Sequence, residues 1–285
     1  MFPCRRGTDK SVMTLVRFIQ VFCLLALCIT LLTGCQTESA KVENNQLNEA
    51  RRAYVEGAYY HAETLLEKYL DESGDPIGRK EAWNRLYDIV VTVRGDTSRG
   101  LRILRAMRLE FAEDKALVAD AHYRAGELHA RMGESEQAIQ EWEDFLKLMD
   151  NPKTERGDVM LRLARLYAGM ERYDDAQSWL SRCIEQSPNP EEVFICRLEQ
   201  GHTAFLMGNN DEALEFFSSL AHDLDQQHSL RPATIFALAQ VYERMDKRTQ
   251  AVELYDSILT THPNPKAVRL RLEYLQTKQA TKTKK

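Results

Sequence analysis

AHYRAGELHARMGESEQAIQEWEDFL at residues 121–146 and VMLRLARLYAGMERYDDAQSWLSRCI at residues 159–184 state one pattern twice. In each, a periodic apolar stretch carrying a small residue, Gly126 or Ala164, runs to a turn at Gly133 or Glu171. A second periodic stretch then starts around Ala138 or Ala176. Each copy predicts a helical hairpin. Working outward from Ala138 and Ala176, small residues recur at Ala62, Gly100, Ala213 and Ala251, at successive intervals of 38, 38, 38, 37 and 38. A fixed period over most of a chain predicts a stacked array, in which no unit can bury its apolar face without its neighbours.

The rest of the composition agrees with an all-α chain. Of 285 residues 44% are apolar and 28% charged, enough for a folded core, and only 13 Gly and 8 Pro interrupt strong Ala, Leu, Arg and Glu usage. Beyond residue 34 there are 34 basic against 42 acidic side chains. A surface of that sign gains nothing by releasing counterions from a phosphate backbone, which argues against nucleic acid as a partner.

Register follows from the small anchors. Five residues before each stand Gly57, Gly95, Gly133, Glu171, Gly208 and Asp246, where the chain must reverse; glycine accepts the positive φ such a reversal favours. Four residues after each stand Leu66, Leu104, Trp142, Leu180, Phe217 and Tyr255, and seven after stand Tyr69, Met107, Phe145, Cys183, Leu220 and Ile258. Those spacings put large side chains on the anchor's face of the second helix. Twelve before each anchor, Ala50, Asp88, Gly126, Ala164, Gly201 and Ala239 provide small positions on the first helix, with Asp88 the exception.

This small–aromatic scheme resembles the tetratricopeptide repeat. It is met best by Gly126, Gly133, Ala138, Trp142 and Phe145, by Ala164, Tyr167, Tyr173, Ala176 and Pro188, and by Ala239, Tyr242, Ala251, Tyr255 and Pro263. The resemblance spans roughly residues 45–265 and implies a right-handed solenoid of about six hairpins, residues 47–262. Two departures stand out. The period is 38 rather than the family's 34, which places about one extra helical turn's worth of chain in each connection between hairpins. In the second copy Asp88 and Gly100 occupy core positions and Trp83 lies one residue out of frame. After the array, residues 263–277 read as a capping helix in which Val268, Leu270, Leu272 and Leu275 cover the open end. Residues 278–285 form a basic, solvated tail.

The N-terminus reads as an address. Phe18–Leu32 is a 15-residue apolar run behind Arg5, Arg6, Lys10 and Arg17, the length of a signal-peptide core and short for a membrane span; Met13 is an alternative start. It ends in Leu32-Thr33-Gly34-Cys35, which resembles the bacterial lipobox. The resemblance implies removal of residues 1–34 and a covalent lipid (palmitate and diacylglycerol) on Cys35, followed by a polar tether over 35–46. Gln36, in place of the Asp of inner-membrane-retained lipoproteins, implies the outer membrane, facing the periplasm. Several acyl chains hold such a protein firmly. Of the six cysteines only Cys183 and Cys196 then remain in an oxidising compartment. Most residue pairs on packed helices lie beyond disulfide reach, which favours two buried free thiols over a disulfide between them.

The residues offer little catalytic chemistry. His122 and His129 share a helix face without a third ligand; His222, Asp223, Asp225 and His228 cluster in a connection; hydrolase and phosphate-loop motifs are missing. No enzyme, metal or cofactor is expected beyond the lipid. In the tetratricopeptide family the first helices line a concave groove. Transferring those positions marks Arg51, Tyr54, Tyr123, Glu127, Arg131, Arg162, Arg165, His202, Phe205, Gln240, Glu243 and Arg244 as a peptide-binding face. Arg131, Arg162 and Arg165 would adjoin there and grip a carboxylate, in balance with an ordinary solvated face. The asparagines used by chaperone-binding members are missing at Glu127, Arg165, His202 and Gln240. The expected function is that of a periplasmic scaffold holding an envelope protein or peptide. In outline it is similar to repeat lipoproteins of outer-membrane assembly or of pilus and secretin biogenesis. The alternatives are a structural role at peptidoglycan and a metal-dependent accessory built on His222–His228.

Overall fold

The computed structural model describes residues 45–149 and 156–282, with side chains to Thr277. The signal segment, Cys35 and most of the tether lie outside the described residues, as do the side chains of the basic tail. The chain is all-α and divides into two compact units, residues 1–107 and 108–285.

Unit 1 holds α1 (residues 45–55), α2 (Tyr59–Glu72), α3 (Pro76–Asp88) and α4 (Thr97–Glu110), whose last turn crosses the division. Helix α3 starts cleanly because the Asp75 carboxylate accepts from the Ile77 and Gly78 amides and Pro76 occupies the first turn. It ends irregularly. Directly after Asp88 the helix widens into a π-helical turn, Ile89–Val93, closed by Arg94 N–H to the Ile89 carbonyl at 3.0 Å. The widening buries Ile89, Val90 and Val91 in succession. It also delivers Arg94 to Glu63, a buried carboxylate that Arg99 holds as well, each at 2.5 Å. The departure of the second copy from the repeat pattern therefore has a structural counterpart in this turn.

Unit 2 is a run of antiparallel hairpins in solenoid arrangement. They are α5 (Lys115–Arg131) with α6 (Ser135–Leu148), α7 (Arg156–Gly169) with α8 (Tyr173–Gln186), α9 (Pro190–Met207) with α10 (Asn210–Asp223), and α11 (Arg231–Arg244) with α12 (Arg248–Ile258). A final helix, α13 (Pro265–Lys282), packs on α12 and continues past Thr277. The anchors behave as their spacing requires: Ala138, Ala176, Ala213 and Ala251 are fully buried, and Trp142, Phe145, Leu180, Phe217, Leu220 and Tyr255 fill the space beside them. At two first-helix positions of unit 2 an aromatic ring on the second helix leaves no room for a Cβ. A Cβ on Gly126 would lie 2.3 Å from Trp142 Nε1, and one on Gly201 2.4 Å from Phe217 Cε1. All six reversal positions are left-handed, including the non-glycine Glu171 (φ 61°) and Asp246 (φ 59°).

The extra chain per repeat is not spread evenly. Helices α8 and α9 are joined by Ser187–Asn189 alone, whereas residues 149–155 separate α6 from α7 and residues 224–230 separate α10 from α11. The long links precede helices that open on an arginine, and that arginine is inserted into the end of the previous second helix. Arg156 donates to the Leu146 carbonyl at 3.1 Å and to that of Met149; Arg231 donates to Leu224 at 2.7 Å and Ala221 at 2.5 Å. Arg79 does the same in unit 1, donating to the Ser73 carbonyl at 2.9 Å and to that of Leu70. A guanidinium there satisfies carbonyls that a helix end leaves without partners and meets the negative end of the helix dipole. Arg156 and Arg231 lie two repeats apart, so part of the 38-residue average in unit 2 is a longer link ahead of an inserted cation; Arg79 makes the same insertion after a link of only residues 73–75.

The short α8–α9 link turns α9 directly back along α8, and Cys183 and Cys196 are joined as a disulfide with Cα atoms 6.4 Å apart. This decides between the two readings of the pair, in favour of the bond over two free thiols. At the C-terminal end, Val268, Leu272 and Leu275 are buried against α11 and α12, following the 4 and 3 spacing of one helix face. Leu270 falls on another face and is 56% exposed, so it does not belong to the cap as expected.

Candidate functional site

The first helices of unit 2 bring most of the expected face together and tie its members to one another. Glu127 on α5 accepts from Arg162 on α7 at 2.5 Å, and Arg162 also donates to Asp158 at 2.6 Å. Tyr123 donates to the same Asp158 at 3.3 Å. One step along, Arg165 on α7 donates to Glu199 on α9 at 2.6 Å. Further on, Arg244 on α11 donates to the Phe205 carbonyl on α9 at 2.5 Å, and Arg271 on α13 to Glu243 on α11 at 3.3 Å. Each first helix is thus linked to the next by an arginine on this face. The equivalent positions in unit 1 behave alike: Arg51 and Arg85 both hold Glu81, and the Arg85 guanidinium lies 5.1 Å from the Tyr54 ring centroid.

These pairs change what the expected arginine cluster can do. Burial works against the Arg162 charge, but Asp158, Glu127 and Tyr123 outweigh it and hold the guanidinium above its ordinary pKa. Burial raises Tyr123, with Asp158 and Glu127 adding to the rise and Arg162 opposing it. An incoming carboxylate would have to compete with Glu127 and Asp158 for Arg162, and with Glu199 for Arg165. Arg131 is exposed, with only its Nε 3.5 Å from the Glu127 carbonyl. His202 is mostly buried against Phe217, ring centroids 5.2 Å apart; burial lowers its pKa, Arg165 pushes the same way and Glu199 opposes. It reads as a packing histidine.

His122 and His129 on α5 are similarly occupied. His122 shares Glu141 with Arg108, and His129 pairs with Glu134, at 2.6 Å in both cases. The His222–His228 cluster does not assemble: His228 turns to Glu191 at 3.1 Å and meets Phe194 edge-to-face, while Asp223 is held by Arg197 at 2.7 Å. Among the described residues no group of three His, Cys, Asp or Glu side chains is placed to hold a metal. The metal-accessory alternative has no assembled ligand set there.

Where the face reaches α13 it opens into a cavity of about 310 Å³ between α9, α11 and α13. Phe205, Gln240, Glu243 and Arg244 line it, all read from the sequence as groove residues, together with Arg271 and Tyr274, which lie in the stretch that reads as the capping helix. The signal for the last two was available in the sequence. Helix α13 starts 34 residues after α11, and at that offset Tyr274 falls under Gln240 and Val268 under Thr234. Helix α13 thus stands as the first helix of an incomplete seventh repeat, contributing to the face as well as closing the end. The uniform 38-residue interval obscured this.

Residues 120–148 and 233–265, and separately 157–190, match the tetratricopeptide-repeat family, and these stretches fall on α5–α6, α11–α12 and α7–α8. With the hairpin arrangement they identify tetratricopeptide repeats in three of the four hairpins of unit 2, a fold that serves as a protein-interaction module. Among similar solved structures is the C-terminal part of a repeat-containing protein from Cytophaga hutchinsonii. It is 17% identical with a TM-score of 0.62, the match covering 79% of this chain and 86% of that one. YrrB, described as a tetratricopeptide-repeat protein with an unusual peptide-binding site, is 19% identical with a TM-score of 0.52, covering 73% and 97%. PilF of Pseudomonas aeruginosa is 13% identical with a TM-score of 0.51, covering 84% and 99%. At these identities the likeness is one of fold.

Proposed function

We propose that the protein is a lipid-anchored periplasmic scaffold that holds an extended segment of another envelope protein against the first-helix face of unit 2. The observation that carries this reading is the open cavity at the α13 end of that face. The second helices spend their apolar side chains on the core, whereas the first-helix face presents Phe205, Tyr274 and mixed charges around unfilled space. Clefts of roughly 300 Å³ and more with a few convergent polar groups are the usual form of binding sites. YrrB, of the same fold, supports the choice of a peptide as ligand. The anchor is supported by the Leu32–Cys35 sequence, and a disulfide at Cys183–Cys196 fits an oxidising compartment. Among the described residues no helix is long and apolar enough to cross a membrane. A tether at one membrane raises the effective concentration of partners there, so modest contacts suffice.

Photo-crosslinking in cells tests the face. A benzophenone amino acid at Gln240, on the cavity, should capture one discrete partner, whereas the same probe at the exposed Ser178 on α8 should not. Equal capture from both positions, or from neither, refutes the groove. Independently, Cys35→Ala should move the protein from the membrane to the aqueous fraction. Unchanged partitioning refutes the anchor.

A further inference from the structure

The three arginines on the wall of the α9–α11–α13 cavity are not equivalent. Arg271 is committed to Glu243, which also accepts from the Tyr255 hydroxyl at 3.2 Å, and Arg248 is committed to Asp246 at 2.9 Å. Arg244 is held differently. Its guanidinium carbon lies over the Phe205 ring, 3.3 Å from the centroid, and one N–H goes to the Phe205 carbonyl. No carboxylate among the described residues forms an ion pair with it. It differs in this from Arg162 and Arg165, each of which already holds a carboxylate.

From this we infer that the cavity is a subsite for an acidic side chain of a bound peptide, with Arg244 taking the carboxylate and Phe205 and Tyr274 receiving an adjacent apolar side chain. The inference rests on the groove reading and specifies its ligand. A guanidinium fork pinned on a ring has lost much of its rotamer freedom before binding, so a carboxylate meets donors already in place. Cation–π contact leaves the edge of the fork, with its remaining N–H groups, able to donate in plane. A basic side chain finds no comparable place, because Glu243 and Asp246 are both engaged by arginines and Arg244 would repel it. A neutral amide lacks the charge assistance that makes such bonds about twice as strong. The volume of about 310 Å³ accommodates a pair of medium side chains rather than a folded domain.

The test uses the full mature chain in detergent and three fluorescein-labelled decapeptides: alternating glutamate and leucine, alternating glutamine and leucine, and alternating lysine and leucine. Fluorescence anisotropy should show the glutamate peptide binding at least about tenfold more tightly than the glutamine peptide. The lysine peptide should bind weakest of the three. Arg244→Gln should erase that preference with the far-UV circular dichroism spectrum unchanged; Arg244→Lys should restore part of it. Equal affinity of the wild-type chain for the glutamate and glutamine peptides overturns the subsite, and so does a preference that survives Arg244→Gln. Either result, with Gln240 crosslinks still specific, leaves the groove reading standing; loss of the crosslinks as well removes both.

Discussion

Gly126→Ala adds one methyl group, and the structure says where it goes. The new Cβ lies 2.3 Å from Trp142 Nε1, 2.4 Å from Cδ1 and 2.8 Å from Cε2. These are ring atoms of a side chain 2% exposed, with no flexible end to move aside. Forcing a methylene into a packed core costs about 1–3 kcal/mol. Shifting the indole also stretches its hydrogen bond to the Tyr123 carbonyl, 3.3 Å long, worth about 1 kcal/mol. Against this, alanine gains about 1 kcal/mol over glycine in a helix interior. The net expectation is a loss of about 1–3 kcal/mol, a fall in Tm of roughly 2–10 °C for a unit of this size. Gly169→Ala is the control: it has nothing within 4 Å and lies in the last turn of α7, so the substitution should be neutral or stabilising by up to about 1 kcal/mol. Thermal melts followed by circular dichroism compare the two within one array, which avoids assuming that a repeat protein unfolds in a single step. Trp142→Phe in the Gly126→Ala background should recover part of the loss, giving a non-additive cycle. If Gly126→Ala is as stable as Gly169→Ala, or the double variant is additive, the close approach of α5 and α6 does not govern this hairpin.

Arg231→Met keeps the apolar stem but strips the donors from the Ala221 and Leu224 carbonyls, and should cost about 1–3 kcal/mol in urea denaturation. The exposed Arg269→Met on α13 should cost under about 0.5 kcal/mol, and equal losses would deny the inserted-arginine role. Reducing the Cys183–Cys196 bond should lower stability by about 2–3 kcal/mol, as expected for so short a loop. A form beginning at Gln36 should show no reactive thiol when unfolded without reductant, and two labelled thiols would remove the disulfide. In unit 1, the Arg51 hydrogen bond, opposed by burial and assisted by Arg85, pulls Glu81 from an ordinary value of 4.5 down to about 2. Because the folded pKa is depressed, its contribution is complete above about pH 4.5 and lost as pH falls toward 2. The stability gap between wild type and Glu81→Gln should therefore shrink across that window, and a pH-independent gap would refute the linkage.

The hairpins were legible because two constraints repeat in phase: a reversal needs a left-handed residue, and a close helix pair needs a small one. Gly57, Gly95, Gly133 and Gly208 declare the first, and all take positive φ; Glu171 and Asp246 do so by position alone. The second made Gly126 and Gly201 readable as contacts for Trp142 and Phe217. Nothing comparable marks a charge on the first-helix face as free or already engaged, because the partner sits some 35 residues away on the next helix. Glu127 and Arg162 are such a pair, as are Arg165 and Glu199, so a row of arginines looks like a ligand site until its carboxylates are found. The averaged period hid a further distinction. Long links carrying Arg156 or Arg231 alternate with short ones, and only when they are separated does α13 fall into phase as another first helix. Its two roles use different faces of one helix. Val268, Leu272 and Leu275 close the core, while Arg271 and Tyr274 extend the recognition face by one helix. A terminal helix that only shielded the array would need the first set alone; in the proposed groove, the second set lines the cavity with Arg244 and would make the end of the solenoid a site.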